Sequence, residues 1–169
     1  MSSPVEEHRQ AAPHQVRCAV LTVSDTRTLE TDRDGQLLCE LLASAGHDIV
    51  GRDICPDEPA RMQALLQRWQ SDTDIDAILL TGGTGITSRD QTYETVTALL
   101  TKELPGYGEL FRWLSYQQIG TAAMLSRAVG GVMIDTVVLT MPGSPAAVRL
   151  AMESVILPEL KHLVQQARQ

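Results

Sequence analysis

The feature that most constrains this chain is an alternation. Short apolar runs rich in β-branched residues recur along it, separated by segments whose apolar residues fall at helical spacing. Val16–Val23 (VRCAVLTV) reads as a buried strand, and the leucines Leu37, Leu38, Leu41 and Leu42 place a helix over 35–45, stopped by Gly46. His47–Cys55 is a second strand, closed by Pro56. Pro59 opens a helix carrying Met62, Leu65, Leu66 and Trp69, and Ala77–Thr81 is a third strand. A β-α-β-α-β order with crossovers of this length requires parallel strands and right-handed connections. The chain is therefore read as an α/β domain over residues 16–169.

The remainder is more helical. Thr92–Leu100 predicts a helix, broken at Pro105-Gly106, and Tyr107, Leu110, Phe111 and Leu114 then form one apolar stripe running to about Gln118. Trp113 and Tyr116 fall off that stripe, which fits either a second contact within the chain or a subunit interface, where such residues are enriched. Met133-Ile134 and Val137–Met141 predict two short strands, and Pro145–Leu163 a closing helix around Pro158.

Composition removes several classes of partner. Fourteen Lys+Arg against 21 Asp+Glu leave a net charge of −7, the wrong sign for neutralising nucleic-acid phosphates or an anionic membrane surface. Aromatics at 4% are too few for a base-stacking platform. Cys18, Cys39 and Cys55 are odd in number and widely spaced, which suits buried thiols better than a disulfide or zinc framework. Residues 1–15 show no secretory signal and are expected to form a flexible tail, and no run is long enough to span a membrane; a cytoplasmic location is expected.

In an open parallel sheet, ligands bind beyond the carboxyl ends of the strands. That rule selects Ser24-Asp25, Pro56-Asp57-Glu58, Thr81-Gly82-Gly83-Thr84-Gly85 with Arg89-Asp90, and Pro142-Gly143-Ser144-Pro145. Three glycines in four residues directly after a strand allow successive N–H groups to cradle an anion. The loop is neither a Walker A sequence nor a dinucleotide fingerprint, since no Gly-Lys-Ser/Thr follows and Ser88 stands where a third glycine belongs. Asp57, Asp90 and Asp25 on the same edge point to Mg²⁺, which takes carboxylates plus substrate phosphates; Glu58 reads as a helix N-terminal residue. Ser144 is not in a Gly-x-Ser-x-Gly elbow, and His47 opens its strand at the opposite edge, so a serine hydrolase is not indicated.

The ordered set Thr81–Gly85 with Ser88-Arg89-Asp90, Pro105-Gly106-Tyr107-Gly108-Glu109-Leu110-Phe111-Arg112, Leu125-Ser126-Arg127 and Pro142–Pro145 resembles the molybdenum-cofactor biosynthesis family, B type, kin of the molybdopterin adenylyltransferases. The resemblance runs from about Val16 to the C-terminus. It implies a three-layer α/β/α molybdopterin-binding domain with a mostly parallel central sheet, forming a homotrimer or homohexamer. It further implies Mg²⁺-dependent adenylylation of molybdopterin by ATP, with pyrophosphate released. By the same resemblance, Asp57 and Asp90 match positions needed for catalysis or metal binding, and Thr81, Gly82, Gly83, Thr84, Gly85, Ser126, Pro142, Gly143 and Ser144 match contacts to the pterin phosphate; Glu109 and Arg112 match the family's helix segment. A non-catalytic molybdopterin carrier and an unrelated Mg²⁺-dependent nucleotide-binding domain are the alternatives.

Overall fold

A computed structural model describes residues 13–169, so most of the expected tail over 1–15 lies outside the described residues. The elements run β1 (Arg17–Val23), α1 (Arg33–Ser44), β2 (Asp48–Cys55), α2 (Pro59–Gln70), β3 (Ala77–Thr81), α3 (Thr92–Leu99), β4 (Lys102–Glu103) and α4 (Pro105–Ile119). A 3-10 turn (Gly120–Leu125), β5 (Gly130–Met133), β6 (Thr136–Met141), α5 (Pro145–Ala151), a π segment (Met152–Ile156) and α6 (Leu157–Ala167) complete the chain. Among the described residues no helix is long and apolar enough to cross a membrane.

The six strands form one sheet in the order β2-β1-β3-β6-β5-β4. The first four pair in parallel, whereas β5 pairs antiparallel with both β6 and β4. Because side chains alternate across a strand, each central strand feeds two cores. Cys18, Val20, Ala77 and Leu79 pack with Leu38 and Leu42 of α1, Tyr107 and Phe111 of α4, and Val148, Leu160 and Val164 near the C-terminus. Ala19, Leu21, Ile78 and Leu80 pack with Met62, Leu66 and Trp69 of α2 and Val96 of α3. The result is the three-layer α/β/α arrangement with a mostly parallel sheet. Full burial of each such leucine contributes roughly 1.5–3 kcal/mol.

Local chemistry explains where the elements depart from expectation. Helix α1 begins at Arg33 rather than at residue 35, because Asp32 caps it, accepting the Gly35 N–H at 2.9 Å. Asp32 is fixed in turn by the Thr22 hydroxyl at 2.7 Å. Strand β5 occupies Gly130–Met133, not Met133-Ile134: Ile134 sits in the hairpin turn with φ 62° and is largely exposed. Strand β4 carries no apolar signal, being two exposed residues, Lys102 and Glu103, held on β5. The α4 stripe divides: Tyr107 and Phe111 are buried, whereas Leu110 is 52% exposed. Trp113 and Tyr116 are also exposed, at 61% and 58%, so no second contact among the described residues covers them.

A β-branched residue in left-handed backbone is strained by about 1–2 kcal/mol, a strain asparagine largely avoids. Ile134→Asn should therefore raise stability by roughly 0.5–1 kcal/mol, read as a higher urea midpoint at unchanged slope. A lower midpoint would show that the turn tolerates isoleucine without strain.

Candidate functional site

Parallel pairing brings the carboxyl ends of β1, β2, β3 and β6 to one edge, and the loops that follow are stitched together there. The Gly82 N–H donates to the Met141 carbonyl at 3.0 Å, and the Thr81 hydroxyl donates to the Pro142 carbonyl at 3.2 Å. The Ser24 N–H donates to the Cys55 carbonyl at 2.9 Å, and the Asp57 N–H to Asp25 Oδ1 at 3.0 Å. Gly82 has φ 99°, and a Cβ there would run into the Val23 carbonyl; a Cβ on Gly143 would come within 3.2 Å of Gly82 Cα. These loops meet backbone against backbone.

They enclose a polar cavity of about 320 Å³ lined by Thr22, Val23, Ser24, Arg27, Asp34, Thr81, Gly82, Gly83, Gly85, Asp90 and Gly143. Among the described residues, the N–H groups of Gly83, Thr84 and Gly85 make no hydrogen bond within the chain, while the carbonyls of all three are occupied, by Thr92 N–H, Arg127 N–H and Arg127 Nε respectively. The loop is thus fastened through its acceptors and leaves its donors free. Successive free N–H groups after a strand are the arrangement that binds an anion.

Two carboxylates close on this loop. Asp57 is buried; its Oδ1 accepts the Gln91 N–H at 3.0 Å, and its Oδ2 lies 2.5 Å from where a Gly83 Cβ would stand. Asp90 Oδ2 accepts the Thr87 N–H at 2.9 Å and its hydroxyl at 2.6 Å, and sits 2.8 Å from a Gly85 Cβ position. Burial raises the Asp57 pKa above the ordinary carboxylate range, against the Gln91 N–H, and nearby Asp90 and Asp25 add to the rise. A cation beside Asp57 would relieve that repulsion. The donor set therefore suits Mg²⁺, which uses one or two carboxylates and completes its shell from substrate and water.

Asp25, expected as a third ligand, is paired with an arginine in the structure. Both its oxygens face Arg89, at 2.6 Å from Nε and 2.7 Å from Nη2, and this pairing, with the Asp57 N–H, holds its pKa at about 2. Among the described residues no three His, Cys, Asp or Glu side chains converge as a metal cage.

The other expected residues divide. Thr81, Gly82, Gly83, Gly85 and Gly143 line the cavity, and Thr84 is buried in the loop beneath. Pro142 shapes the edge through its carbonyl, whereas Ser144 Oγ caps α5 by accepting the Ala147 N–H at 3.2 Å. Ser126 does not line this cavity; its neighbour Arg127 ties that segment to the loop and also pairs with Glu94. Glu109 and Arg112 line a smaller cavity of about 120 Å³ with Tyr93 and Ala128. Sequence reasoning missed Arg27, between β1 and α1, and Asp34, in the first turn of α1, which both line the cavity; the Asp32 cap was the available signal.

Gly83→Ala places a Cβ against Thr92 Oγ1 and Asp57 Oδ2 at φ 66°, and should destabilise the fold by roughly 1–3 kcal/mol in urea unfolding. An unchanged midpoint would mean the loop relaxes away from Asp57.

Comparison with known proteins follows the same span. Residues 19–162 match the family described as a probable molybdopterin binding domain. The chain is 53% identical over 160 residues to molybdenum cofactor biosynthesis protein B of Bacillus cereus, covering 94% of this chain and 95% of that one. A crystal structure of a molybdenum cofactor biosynthesis protein B aligns with a TM-score of 0.90 at 52% identity, over 94% of this chain and 99% of that one. The tungsten cofactor synthesizing protein MoaB from Pyrococcus furiosus aligns with a TM-score of 0.81 at 35% identity, over 94% and 100%.

Proposed function

This chain belongs to the molybdenum cofactor biosynthesis protein B family, and on that premise we propose that it adenylylates molybdopterin with Mg²⁺ and ATP. The observation that carries the reading is the run of free N–H groups at Gly83, Thr84 and Gly85 flanked by the carboxylates of Asp57 and Asp90. An oxygen of the pterin's terminal phosphate attacks the α-phosphorus of ATP, and the bond to the β-phosphate oxygen breaks, its electron pair leaving with pyrophosphate. Such a transfer needs little covalent help; positioning and charge stabilisation carry it. The glycine loop holds a phosphate without a lysine, and Asp57 and Asp90 hold the cation. Mg²⁺, when bound, supplies positive charge to the phosphate oxygens.

The test is pyrophosphate release from purified protein, molybdopterin and Mg-ATP. Asp57→Ala and Asp90→Ala should each lower turnover by roughly 10²–10³-fold, with circular dichroism unchanged. Wild-type turnover in both variants would remove these residues from the mechanism. A second reading is a carrier that binds molybdopterin without turnover. Pterin binding without pyrophosphate release would identify it.

A homotrimer or homohexamer belongs to the same proposal. Leu110, Trp113, Tyr116, Ile119, Met124 and Leu125 are exposed along α4 and the turn after it, as apolar residues at a subunit contact would be in a lone protomer. Light scattering should return a trimeric or hexameric mass, and a monomeric mass would overturn it.

A further inference from the structure

The cavity at the carboxyl edge contains a cation that the reading above leaves unused. Among its lining residues only Arg27 is basic. Arg27 lies in the loop between β1 and α1, where its own N–H is held by Ser24 Oγ at 3.2 Å, and its side chain is 35% exposed. Its Nη1 stands 2.9 Å from Asp34 Oδ2 and 4.0 Å from Asp32 Oδ1. A guanidinium carries five N–H donors, and this pairing occupies a small part of them. Arg89, by contrast, is committed to Asp25 through two contacts.

Asp32 and Asp34 differ in a way that helix stability does not explain. Asp32 is fully employed: it caps α1, accepts from Thr22 and meets Arg52. Asp34 is 2% exposed, makes no capping bond, and its Oδ1 is buried with no partner. Burying a carboxylate with one oxygen unsatisfied costs stability. What that burial provides is direction. A short side chain packed beside Gly143, with Oδ2 at 3.8 Å from a Cβ position there, fixes where the Arg27 guanidinium lies in the cavity shared with Gly83 and Gly85.

We infer that Arg27 is an anion-binding residue of this cavity, aimed by Asp34, and that the two hold the second phosphoryl group of a phosphoanhydride whose first rests on the glycine-loop N–H groups. The ligand class is a pyrophosphate moiety, because a cavity of about 320 Å³ exceeds what one phosphate fills and its donors come from two sides. A planar guanidinium suits such oxygens because it offers paired, parallel donors. This deepens the adenylylation reading and rests on its anion-binding edge. Arg27 touches the ligand; Asp34 is a positioning residue.

The test is calorimetric titration of the full chain with inorganic pyrophosphate, without ATP or pterin. Arg27→Ala should weaken binding about tenfold or more, the size of a lost charge-assisted hydrogen bond, and Arg27→Lys should recover part of the loss. Asp34→Asn should weaken binding about threefold to fivefold while the thermal midpoint stays at or above the wild-type value, because the amide leaves the Asp32 cap intact and removes the cost of the partnerless, buried Oδ1. Equal affinity for wild type and Arg27→Ala would overturn the inference, as would a wild type that does not bind pyrophosphate. Loss of affinity in Asp34→Asn only together with a lowered midpoint would overturn the positioning role. Because no turnover is involved, Arg27-dependent binding in a protein that releases no pyrophosphate from ATP would remove the adenylylation reading and leave this one standing.

Discussion

Parallel pairing of β2, β1, β3 and β6 is the constraint on which the site depends. Strands that run the same way must end at the same edge, and each crossover must return over a face of the sheet. The loops after those strands therefore have no choice but to meet. Where they meet, side chains are excluded: Gly82 has no room beside the Val23 carbonyl, and Gly143 none beside Gly82. The chain satisfies this crowding with glycine, and the exposed amide donors of the next residues are a by-product of the same geometry. A row of unpaired backbone donors is thus a natural outcome of the fold's own packing problem, and Asp57 and Asp90 set negative charge beside it.

Much of this was legible in the sequence, because the signals were local. Ala77–Thr81 is continuous, apolar and β-branched, followed at once by glycines, and the strand has those bounds in the structure. Asp57 and Asp90 could be placed because each lies two residues from an element the periodicity defines, after β2 and before α3. What could not be read depended on partners distant in the chain. Arg89 neutralises Asp25 across 64 positions, and no pattern in either segment announces the other. Strand β4 exists because Thr101, Leu104 and their neighbours find β5, not because Lys102 and Glu103 favour extension. Leu110 matches a helical stripe as well as Phe111 does, yet only the docking angle of α4 decides which of them meets the sheet.

The charge balance also looks different at the level of the site. A chain with net charge −7 is expected to repel anionic ligands. Its carboxylates are not distributed evenly, however: Asp25, Asp32 and Asp76 are each engaged by arginine, so several negative charges are cancelled where they stand. Local potential at the cavity is set by the backbone donors, Arg27 and the carboxylates around them, more than by the global sum.

The last helical stretch shows what a single irregular turn can accomplish. Val148, Met152, Ile156, Leu160 and Val164 are all fully buried, a row spaced at a constant four residues. On an ideal α-helix that row would wind around the axis by about 40° per step and carry its far end off the sheet. The π segment over Met152–Ile156, placed just before Pro158 breaks the hydrogen-bond ladder, widens one turn and unwinds part of that drift. The irregularity brings the buried side chains before and after it closer to one line. A single widened turn is here the device that offsets part of a long helix's drift from its sheet.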